Sequence, residues 1–398
     1  MPVYLDHAAT SPLRQEALEA MLPILRSTFG NPSSPHVFGR RARTALDEAR
    51  ESVARDLGAD PREVVFTSGG SESINLAIKG AAWAGKARGH RIITSAVEHD
   101  AVLNSCRYLE RFGFEVVVLP ADRYGRVDPD ELAASLTDHT ILVTVQAANN
   151  EVGTLQPVAE IARRVRTQGH VLLHVDAVQA APWMDLDVAA MDVDLLSIAG
   201  HKLEGPKGTG VLVIRRGTTL LAQQHGGSQE RHRRAGTEDV AGAVGLATAL
   251  RLAREERSAA LEGVREMRDR LRDGLLAIGG VEQTGHPRDR LPNHLSAIVR
   301  DADGQDIVQA LDLEGVACST GSACTTGSTD PSHVLTAMGY PPEEARGALR
   351  LTAGRTTTRD DVAFALGLLP GVVGRARATA RSRATDPFVL EGVPEAGG

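Results

Sequence analysis

The chain has 398 residues, of which 44 are Lys or Arg and 51 are Asp or Glu, giving a formal net charge of −7. This charge, with only 3% aromatic residues, argues against a nucleic-acid partner, because phosphates are repelled and stacking surfaces are scarce. Three cysteines without a Cys-x-x-Cys pair favour neither a disulfide framework nor a structural metal site. Residues 1–10 contain no Lys or Arg, and no apolar stretch is long enough to span a bilayer, so we expect a cytoplasmic protein without a membrane partner.

Short apolar runs alternate with helical patterns over the first two-thirds of the chain. Their successive β-branched and aliphatic residues are typical of strands buried on both faces. The predicted strands are residues 64–67, 91–95, 115–119, 141–146, 171–176, 195–199 and 210–215. Helical patterns lie between them at residues 71–84, 100–112, 129–136 and 157–168. This alternation predicts an α/β fold with a mostly parallel, seven-stranded sheet between layers of helices.

The pattern changes after Gly236. Residues 238–278 form one long helical pattern, which we expect to bridge to a second, smaller α+β domain. That domain is predicted to contain a strand at 294–299, a helix at 305–313, a loop at 319–329 and further helices to about residue 377. We therefore place a large domain at residues 16–254 and a small domain at residues 1–15 with 255–398. Residues 375–398 show no periodic apolar face, and we expect them to be loosely held.

Three segments of the predicted sheet place reactive groups where a strand ends, which is where ligands bind in such folds. Gly70 and Ser71 could present N–H groups to an anion, although an ordinary N-cap at Ser71 is the simpler interpretation. Asp176 ends a buried strand and either faces a cationic ring nitrogen or caps the next turn. Lys202 follows another buried strand, and a desolvated lysine is the residue that forms Schiff bases.

A fourth segment, residues 318–328, is rich in Gly, Ser and Thr and contains two of the cysteines. Cys324 lies among small polar residues, a setting in which a loop can carry a thiolate to a substrate. Cys318 and Cys106 are expected to pack as small apolar side chains. A disulfide between Cys318 and Cys324 is an alternative that a reducing compartment disfavours.

Taken in chain order, these motifs resemble those of the cysteine desulfurases of the NifS/IscS type, within the class V aminotransferase group of pyridoxal phosphate (PLP) enzymes of fold type I. The resemblance begins at residues 3–10 (VYLDHAAT) and 29–34 (FGNPSS) and continues through the four segments to Arg350. Residues 319–324 are similar to the Ser-Ser-Gly-Ser-Ala-Cys signature of one branch of the family. This similarity favours a desulfurase over the transaminases of the same fold, which need no mobile cysteine.

The resemblance implies a role for each matching position. Lys202 would bind PLP covalently, Asp176 would face the ring nitrogen, and His99 would stack on the ring and help to move protons. Arg350 would bind the substrate carboxylate, with Arg355 as the weaker candidate. The remaining implied contacts are the phosphate ligands Gly70, Ser71 and His201, the ring-hydroxyl neighbour Gln179, and Asn150 near both ring and substrate. Thr237 would reach the phosphate of the neighbouring subunit, which implies a homodimer.

The implied reaction converts L-cysteine to L-alanine and leaves a persulfide on Cys324, from which an acceptor such as an iron–sulfur scaffold protein takes the sulfur. A selenocysteine lyase or another class V aminotransferase is an open alternative, as is a non-catalytic subunit that retains the fold. Two positions depart from the family pattern. Ala199 stands where many members have a phosphate-binding Ser, and Glu204 stands where an aromatic or aliphatic residue is commoner.

Overall fold

The computed structural model describes residues 2–321 and 331–385. The strands are β1 (Val3–Tyr4), β2 (Val64–Thr67), β3 (Arg91–Ser95), β4 (Glu115–Leu119), β5 (Thr140–Gln146), β6 (Leu172–Asp176), β7 (Leu195–Ala199), β8 (Gly210–Ile214), β9 (Val281–Gln283), β10 (His294–Val299), β11 (Val316–Ala317) and β12 (Ala348–Thr352). The helices are α1 (Gln15–Ser27), α2 (Val37–Asp56), α3 (Gly70–Gly85), α4 (Asp100–Glu110), α5 (Pro129–Ser135), α6 (Val158–Arg166), α7 (Val240–Leu276), α8 (Gly304–Leu313), α9 (His333–Ala337), α10 (Pro342–Ala345) and α11 (Arg359–Thr385).

A seven-stranded sheet forms the centre of the first two-thirds of the chain, in the strand order β2-β8-β7-β6-β5-β3-β4. Strand β8 runs antiparallel to both of its neighbours, and the other pairs are parallel. Every residue of β5, β7 and β8 is buried, which explains why these strands appear in the sequence as continuous apolar runs. The predicted mostly parallel seven-stranded sheet is therefore confirmed.

The carboxyl ends of several strands meet at one edge of this sheet. Strands β2, β3, β5, β6 and β7 are followed there by the residues that the sequence singled out, because parallel strands end on the same side. The helices that follow return the chain across the faces of the sheet, and α3 packs against β7 and β8. The topology thus gathers side chains that are far apart in sequence.

A second hydrophobic cluster surrounds a three-stranded antiparallel sheet with the order β12-β10-β9. Helix α7 joins the two halves of the molecule: Leu246 and Leu250 near its start belong to the core of the large sheet, whereas Leu271 and Leu275 near its end belong to the second cluster. Strand β1 also joins this second half, because it pairs in parallel with β11. The predicted bridging helix is thus present.

The expectation for the C-terminal tail is wrong for residues 375–385, because α11 continues to Thr385. Buried Ala376 packs in the second cluster, and Arg377 donates hydrogen bonds to the carbonyls of Arg300 and Gly279. Arg383 pairs with Asp306 on α8. Side-chain contacts of these arginines therefore anchor a segment that lacks a regular apolar stripe. Within residues 2–321 and 331–385, no helix has the length and apolar character needed to cross a membrane.

Candidate active site

One cavity of about 380 Å³ lies at the edge of the large sheet where the parallel strands end. Residues from both halves of the molecule form its wall, since Arg350 belongs to β12 and Lys202 follows β7. The site residues predicted from sequence that line this cavity are Gly70, Ser71, His99, Asn150, Asp176, Gln179, His201, Lys202 and Arg350. The structure therefore brings most of the predicted site together.

Two predicted site residues are not part of this cavity wall as described. Thr237 is exposed and does not line the cavity, so its contact with a neighbouring subunit stays a prediction. Cys324 lies outside the described residues. Gly321, which ends the described segment before it, does line the cavity.

The N-terminus of α3 forms one end of the cavity. Gly69 has φ +153°, which residues other than glycine rarely adopt, and a Cβ on Gly70 would lie 2.8 Å from Cγ2 of Val178. Among the described residues, no side chain caps this helix, so the N–H groups of its first turn, including those of Gly70 and Ser71, face an uncapped end. Such an end carries a partial positive charge and fits a phosphate.

Asp176 ends β6 in a buried position, where only 7% of the residue is exposed. Its Oδ1 accepts a hydrogen bond from the N–H of Val178 at 2.9 Å. Burial raises the pKa of this carboxyl, and the nearby charges of His99 and Lys202 offset only part of that effect. A buried carboxylate of this kind is well suited to a cationic ring N–H.

His99 caps α4 and lines the cavity. Its Nδ1 accepts a hydrogen bond from the N–H of Ala101 at 3.0 Å, so the neutral ring carries its proton on Nε2. Because the cap fixes the ring by its Nδ1 edge, the imidazole has a defined orientation at the cavity wall. That orientation suits a ring that stacks on a flat cofactor.

Lys202 ends the 3₁₀ turn Gly200–Lys202 that follows β7. Its Nζ donates hydrogen bonds to the carbonyl oxygens of Ala8 at 2.5 Å and Ala9 at 2.7 Å. Gln179 Nε2 donates to the same Ala8 oxygen at 2.8 Å. The backbone of the N-terminal segment therefore holds the lysine amine at the cavity wall.

His201 lies beside this lysine, with its Nδ1 3.1 Å from Oγ1 of Thr10. Burial, together with the charges of Lys202 and Lys207, lowers the pKa of His201 to about 4. The ring is neutral at physiological pH, and with the Thr10 hydroxyl donating to Nδ1 it keeps an Nε2–H donor. A neutral N–H donor at this position fits a phosphate ligand.

Arg350 lies almost fully buried on β12, with 2% of the residue exposed. Its Nη2 donates to Oδ1 of Asp6 at 2.7 Å, and its Nη1 donates to the carbonyls of Asn150 and Gly321 at 2.8 and 3.2 Å. The buried Nε has no hydrogen-bond partner among the described residues. A fixed guanidinium with an unused N–H at a cavity wall fits a carboxylate ligand.

Arg355 is in a different environment. It lines two neighbouring cavities of about 50 and 490 Å³, and its guanidinium pairs with Glu204 at 3.0 Å. Arg350, and not Arg355, is therefore the arginine that lines the cavity of Asp176 and His99.

Sequence reasoning missed several contributors to the site. Gln146 lines the cavity from the end of β5, and the strand-end rule that selected Asp176 could have found it. Glu98 is fully buried below the cavity wall, where its Oε1 accepts hydrogen bonds from Ser95 Oγ and the N–H of Gln146. Burial raises the pKa of Glu98 to about 8. Ala8 and Ala9 act through backbone carbonyls, for which no side-chain signal exists.

The groups around the cavity fit PLP by their chemistry. An uncapped helix N-terminus and a neutral histidine N–H suit the phosphate, and the buried Asp176 suits the ring nitrogen. Lys202 supplies the amine that PLP enzymes require. Ala199 lies at the same wall, so a methyl group stands where many family members offer a hydroxyl.

Comparison with known proteins extends this interpretation to nearly the whole chain. Residues 3–364 match the family Aminotransferase class-V. A cysteine desulfurase IscS of Dictyoglomus turgidum is 48% identical over 376 residues, which cover 94% of this chain and 95% of that protein. A solved NifS-like protein superposes with a TM-score of 0.89 at 37% identity, covering 94% of this chain and all of its own. A structure of SspA in complex with cysteine superposes with a TM-score of 0.78 at 34% identity, covering 89% and 99% of the two chains.

The family match contains all three sheets and every residue of the cavity wall, so the chain is a PLP-dependent enzyme of the class-V aminotransferase family. Within that family, the chain belongs to the cysteine desulfurases of the IscS and NifS type. The alternatives of an aminotransferase or a selenocysteine lyase are not favoured by these relatives.

Proposed function

We propose that the protein converts L-cysteine to L-alanine in the cavity between Lys202 and Arg350 and that Cys324 takes up the sulfur. The observation that carries this proposal is the presence of the lysine amine and an unused guanidinium N–H in one cavity wall. The related protein solved in complex with cysteine supports the choice of substrate. The conversion of cysteine to alanine is the family's reaction, and we infer the residue roles that follow from the geometry of the cavity.

A distinct set of residues would bind the cofactor. Gly70, Ser71 and His201 would bind its phosphate, Asp176 would face its ring nitrogen, and Gln179 would lie near its ring hydroxyl. When bound, PLP supplies an electron sink for negative charge that develops at the substrate Cα. The buried Asp176 keeps that sink effective because a carboxylate beside the ring nitrogen favours its protonated form.

The substrate carboxylate would bind the guanidinium of Arg350. Three fixed acceptors, Asp6, Asn150 and Gly321, hold the other side of the guanidinium, so the arginine needs no rearrangement to receive a ligand. The substrate carboxylate and amine would then be oriented between Arg350 and Lys202. Asn150 lines the same cavity.

Lys202 would remove the Cα proton, with His99 assisting. The carbonyls of Ala8 and Ala9 accept hydrogen bonds from its amine, and they would stabilise the protonated amine once the proton has been taken. His99 lines the cavity with a ring that is fixed through Nδ1. Both groups are thus held by backbone contacts, which limits reorganisation during proton transfer.

The sulfur step follows from thiol chemistry. The Cys324 thiolate would attack the substrate sulfur, so that a sulfur–sulfur bond forms while the carbon–sulfur bond breaks. The electron pair of the broken bond stays with the carbon skeleton, which takes up a proton and leaves as alanine. The persulfide on Cys324 would then pass its outer sulfur to an acceptor such as an iron–sulfur scaffold protein.

We further propose a homodimer in which Thr237 reaches the cavity of the neighbouring subunit. Thr237 is exposed in the single chain. An apolar patch that includes Leu25, Phe29 and Phe38 is also exposed, with the two phenylalanine rings stacked 5.4 Å apart. Such a patch is typical of a surface that a second copy covers. The division into residues 16–254 and residues 1–15 with 255–398 also remains a proposal, which the two separate hydrophobic clusters support.

Three alanine variants test the proposed roles. Lys202→Ala is expected to abolish alanine formation, and Cys324→Ala is expected to keep the absorbance of bound PLP while losing sulfur transfer from L-cysteine. Cys106→Ala is the matched control because Cys106 is buried on α4, away from the cavity. Full sulfur transfer by Cys324→Ala would contradict the role of that thiol.

A further inference from the structure

Glu204 has an unusual backbone conformation two residues after Lys202. Its φ is +61°, a left-handed value that costs a residue with a Cβ about 1 kcal/mol relative to glycine. Its N–H donates to Oγ of Ser11 at 2.8 Å, and its carbonyl accepts from the N–H of Arg14 at 2.9 Å. Glycine would adopt this conformation with less strain. We therefore expect the glutamate side chain to make a contact that offsets this cost.

The Glu204 carboxylate makes an ion pair across the two halves of the molecule. Its Oε2 accepts hydrogen bonds from Nε and Nη2 of Arg355 at 3.1 and 3.0 Å. Glu204 belongs to the turn that carries Lys202, whereas Arg355 lies in the loop after β12, the strand that carries Arg350. The ion pair therefore joins the lysine turn to the end of the substrate-arginine strand.

Neighbouring charges place this ion pair in a larger network. Glu256 on α7 lies 4.0 Å from Nε of Arg355 and accepts two hydrogen bonds from the buried Arg14, at 2.9 and 3.0 Å. Arg14 also pairs with Glu16. Because carboxylates and guanidiniums alternate, no charge in the network lacks a neighbour of opposite sign.

The loop that holds Arg355 is also fixed on its other side. A Cβ on Gly354 would lie 2.1 Å from Cε1 of His7, so the imidazole packs directly on this glycine. The N-terminal segment that contains His7 also supplies the carbonyl acceptors of Lys202 and the Asp6 partner of Arg350. Gly354 and Arg355 are thus held between the N-terminal segment and the lysine turn.

We propose that Glu204 is a positioning residue, which acts through Arg355 to hold the β12 strand and its Arg350 at a fixed distance from Lys202. A substrate whose carboxylate binds Arg350 and whose amine approaches Lys202 requires this spacing. The inference rests on the proposed role of Arg350. It gives a function to a residue that departs from the usual aromatic or aliphatic type at this position.

The ion pair also accounts for the role of Arg355. Its charged side chain is 38% exposed, and the pair with Glu204 holds it in one position. Pairing with Glu204 keeps that charge in the walls of the two neighbouring cavities and out of the wall that Arg350 lines.

The experiment compares holoenzymes of the wild type, Glu204→Gln and Glu204→Gly. Hydrogen exchange of the peptides covering residues 200–205 and 354–358 is measured together with kcat and KM for L-cysteine. Both variants are expected to exchange about two- to five-fold faster in both peptides and to show a KM about two- to five-fold higher, as for an ion pair of this exposure. The change in kcat is expected to be smaller than the change in KM.

Glu204→Gly separates positioning from folding, because glycine relieves the left-handed strain and is expected to leave the unfolding temperature unchanged or raised. Glu314→Gln is the matched control, since it removes an ion pair with Arg375 that lies within the second half of the molecule. Arg355→Gln, Glu204→Gln and the double variant are expected to show the same rise in KM, because each of them removes the same ion pair.

Unchanged exchange of residues 354–358 in both Glu204 variants would overturn the proposal. Faster exchange with an unchanged KM would also overturn it, because the coupling would then not set substrate binding. Arg350→Lys distinguishes a failure of this proposal from a failure of the proposed function. If the KM of Arg350→Lys is also unchanged, Arg350 does not bind the substrate carboxylate.

Discussion

Asp6 accepts a hydrogen bond from Arg350 at 2.7 Å, although the two residues lie at opposite ends of the chain. The ion pair compensates a guanidinium whose side chain is only 3% exposed, while Asp6 keeps 18% exposure. It leaves the Nε of Arg350 without a partner among the described residues. The N-terminal segment thus prepares the arginine for a second, anionic ligand.

Arg350→Lys is expected to raise KM for L-cysteine by about ten-fold or more, because an ammonium cannot replace the hydrogen bonds of the fixed guanidinium. The effect on kcat is expected to be smaller. Steady-state rates of alanine formation measure both values. Arg300→Lys, at an exposed ion pair on the far side of the second sheet, serves as the control. An unchanged KM in Arg350→Lys would contradict its role as the carboxylate ligand.

Asp6→Asn is expected to destabilise the folded protein by about 1–3 kcal/mol, because the acceptor oxygen remains while the compensating charge is lost. Urea unfolding measured by circular dichroism gives this difference. Asp60→Asn removes an exposed carboxylate that pairs with Arg62 and is expected to change stability little. Equal stabilities for the Asp6 and Asp60 variants would show that Arg350 does not depend on this counter-charge.

Ala199→Ser tests whether the absence of a serine hydroxyl at the phosphate end of the cavity weakens PLP binding. The added hydroxyl is expected to lower the dissociation constant of PLP about five- to ten-fold, the effect of one added hydrogen bond to an anion. Titration of the apoenzyme with PLP, followed by absorbance, measures this constant. A hydroxyl that fails to tighten binding would place the phosphate away from the wall formed by Ala199.

Because Glu98 is buried, we expect the free energy of unfolding to depend on pH. Its pKa is raised from 4.5 to about 8 by burial, so the native state keeps a proton that the unfolded state loses. The stability contributed by this protonated carboxyl is full below pH 4.5 and is lost as the pH rises through about 8. Glu98→Gln keeps a neutral side chain with an oxygen acceptor, so it is expected to be more stable than the wild type at pH 8.5.

The measurement for Glu98 is urea unfolding of wild type and variant at pH 5.5 and pH 8.5. The gain of Glu98→Gln over wild type is expected to grow between the two values by roughly 2–3 kcal/mol. Glu51→Gln, at an exposed position on α2, is the control and is expected to show no such change. Parallel pH profiles of wild type and Glu98→Gln would mean that Glu98 is already ionised in the folded protein.

The sequence was sufficient to predict the large sheet and most of its cavity. Strands such as β7 are buried on both faces, so their apolar runs stand out, and the residues after them meet because parallel strands end on one side. Short elements were missed: β1 and β11 contain two residues each, too few for a periodic pattern.

Contacts made through the backbone and across long sequence distances could not be predicted. The carbonyls of Ala8 and Ala9 hold Lys202 only because β1 pairs with β11 and places the N-terminal segment beside the lysine turn. The partnership of Glu204 with Arg355 likewise depends on the packing of the two halves. The prediction that residues 375–385 are loosely held is wrong for a related reason. The side chain of Arg377 anchors α11 through hydrogen bonds to carbonyl groups, and such contacts leave no periodic pattern in the sequence.

Mass spectrometry of the Cys324 peptide after brief exposure of the holoenzyme to L-cysteine tests the central claim most directly. One added sulfur atom is expected on that peptide, with none on the peptides of Cys106 and Cys318. Formation of alanine with Cys324 unmodified at every time point, and with no loss of rate in Cys324→Ala, would contradict the account.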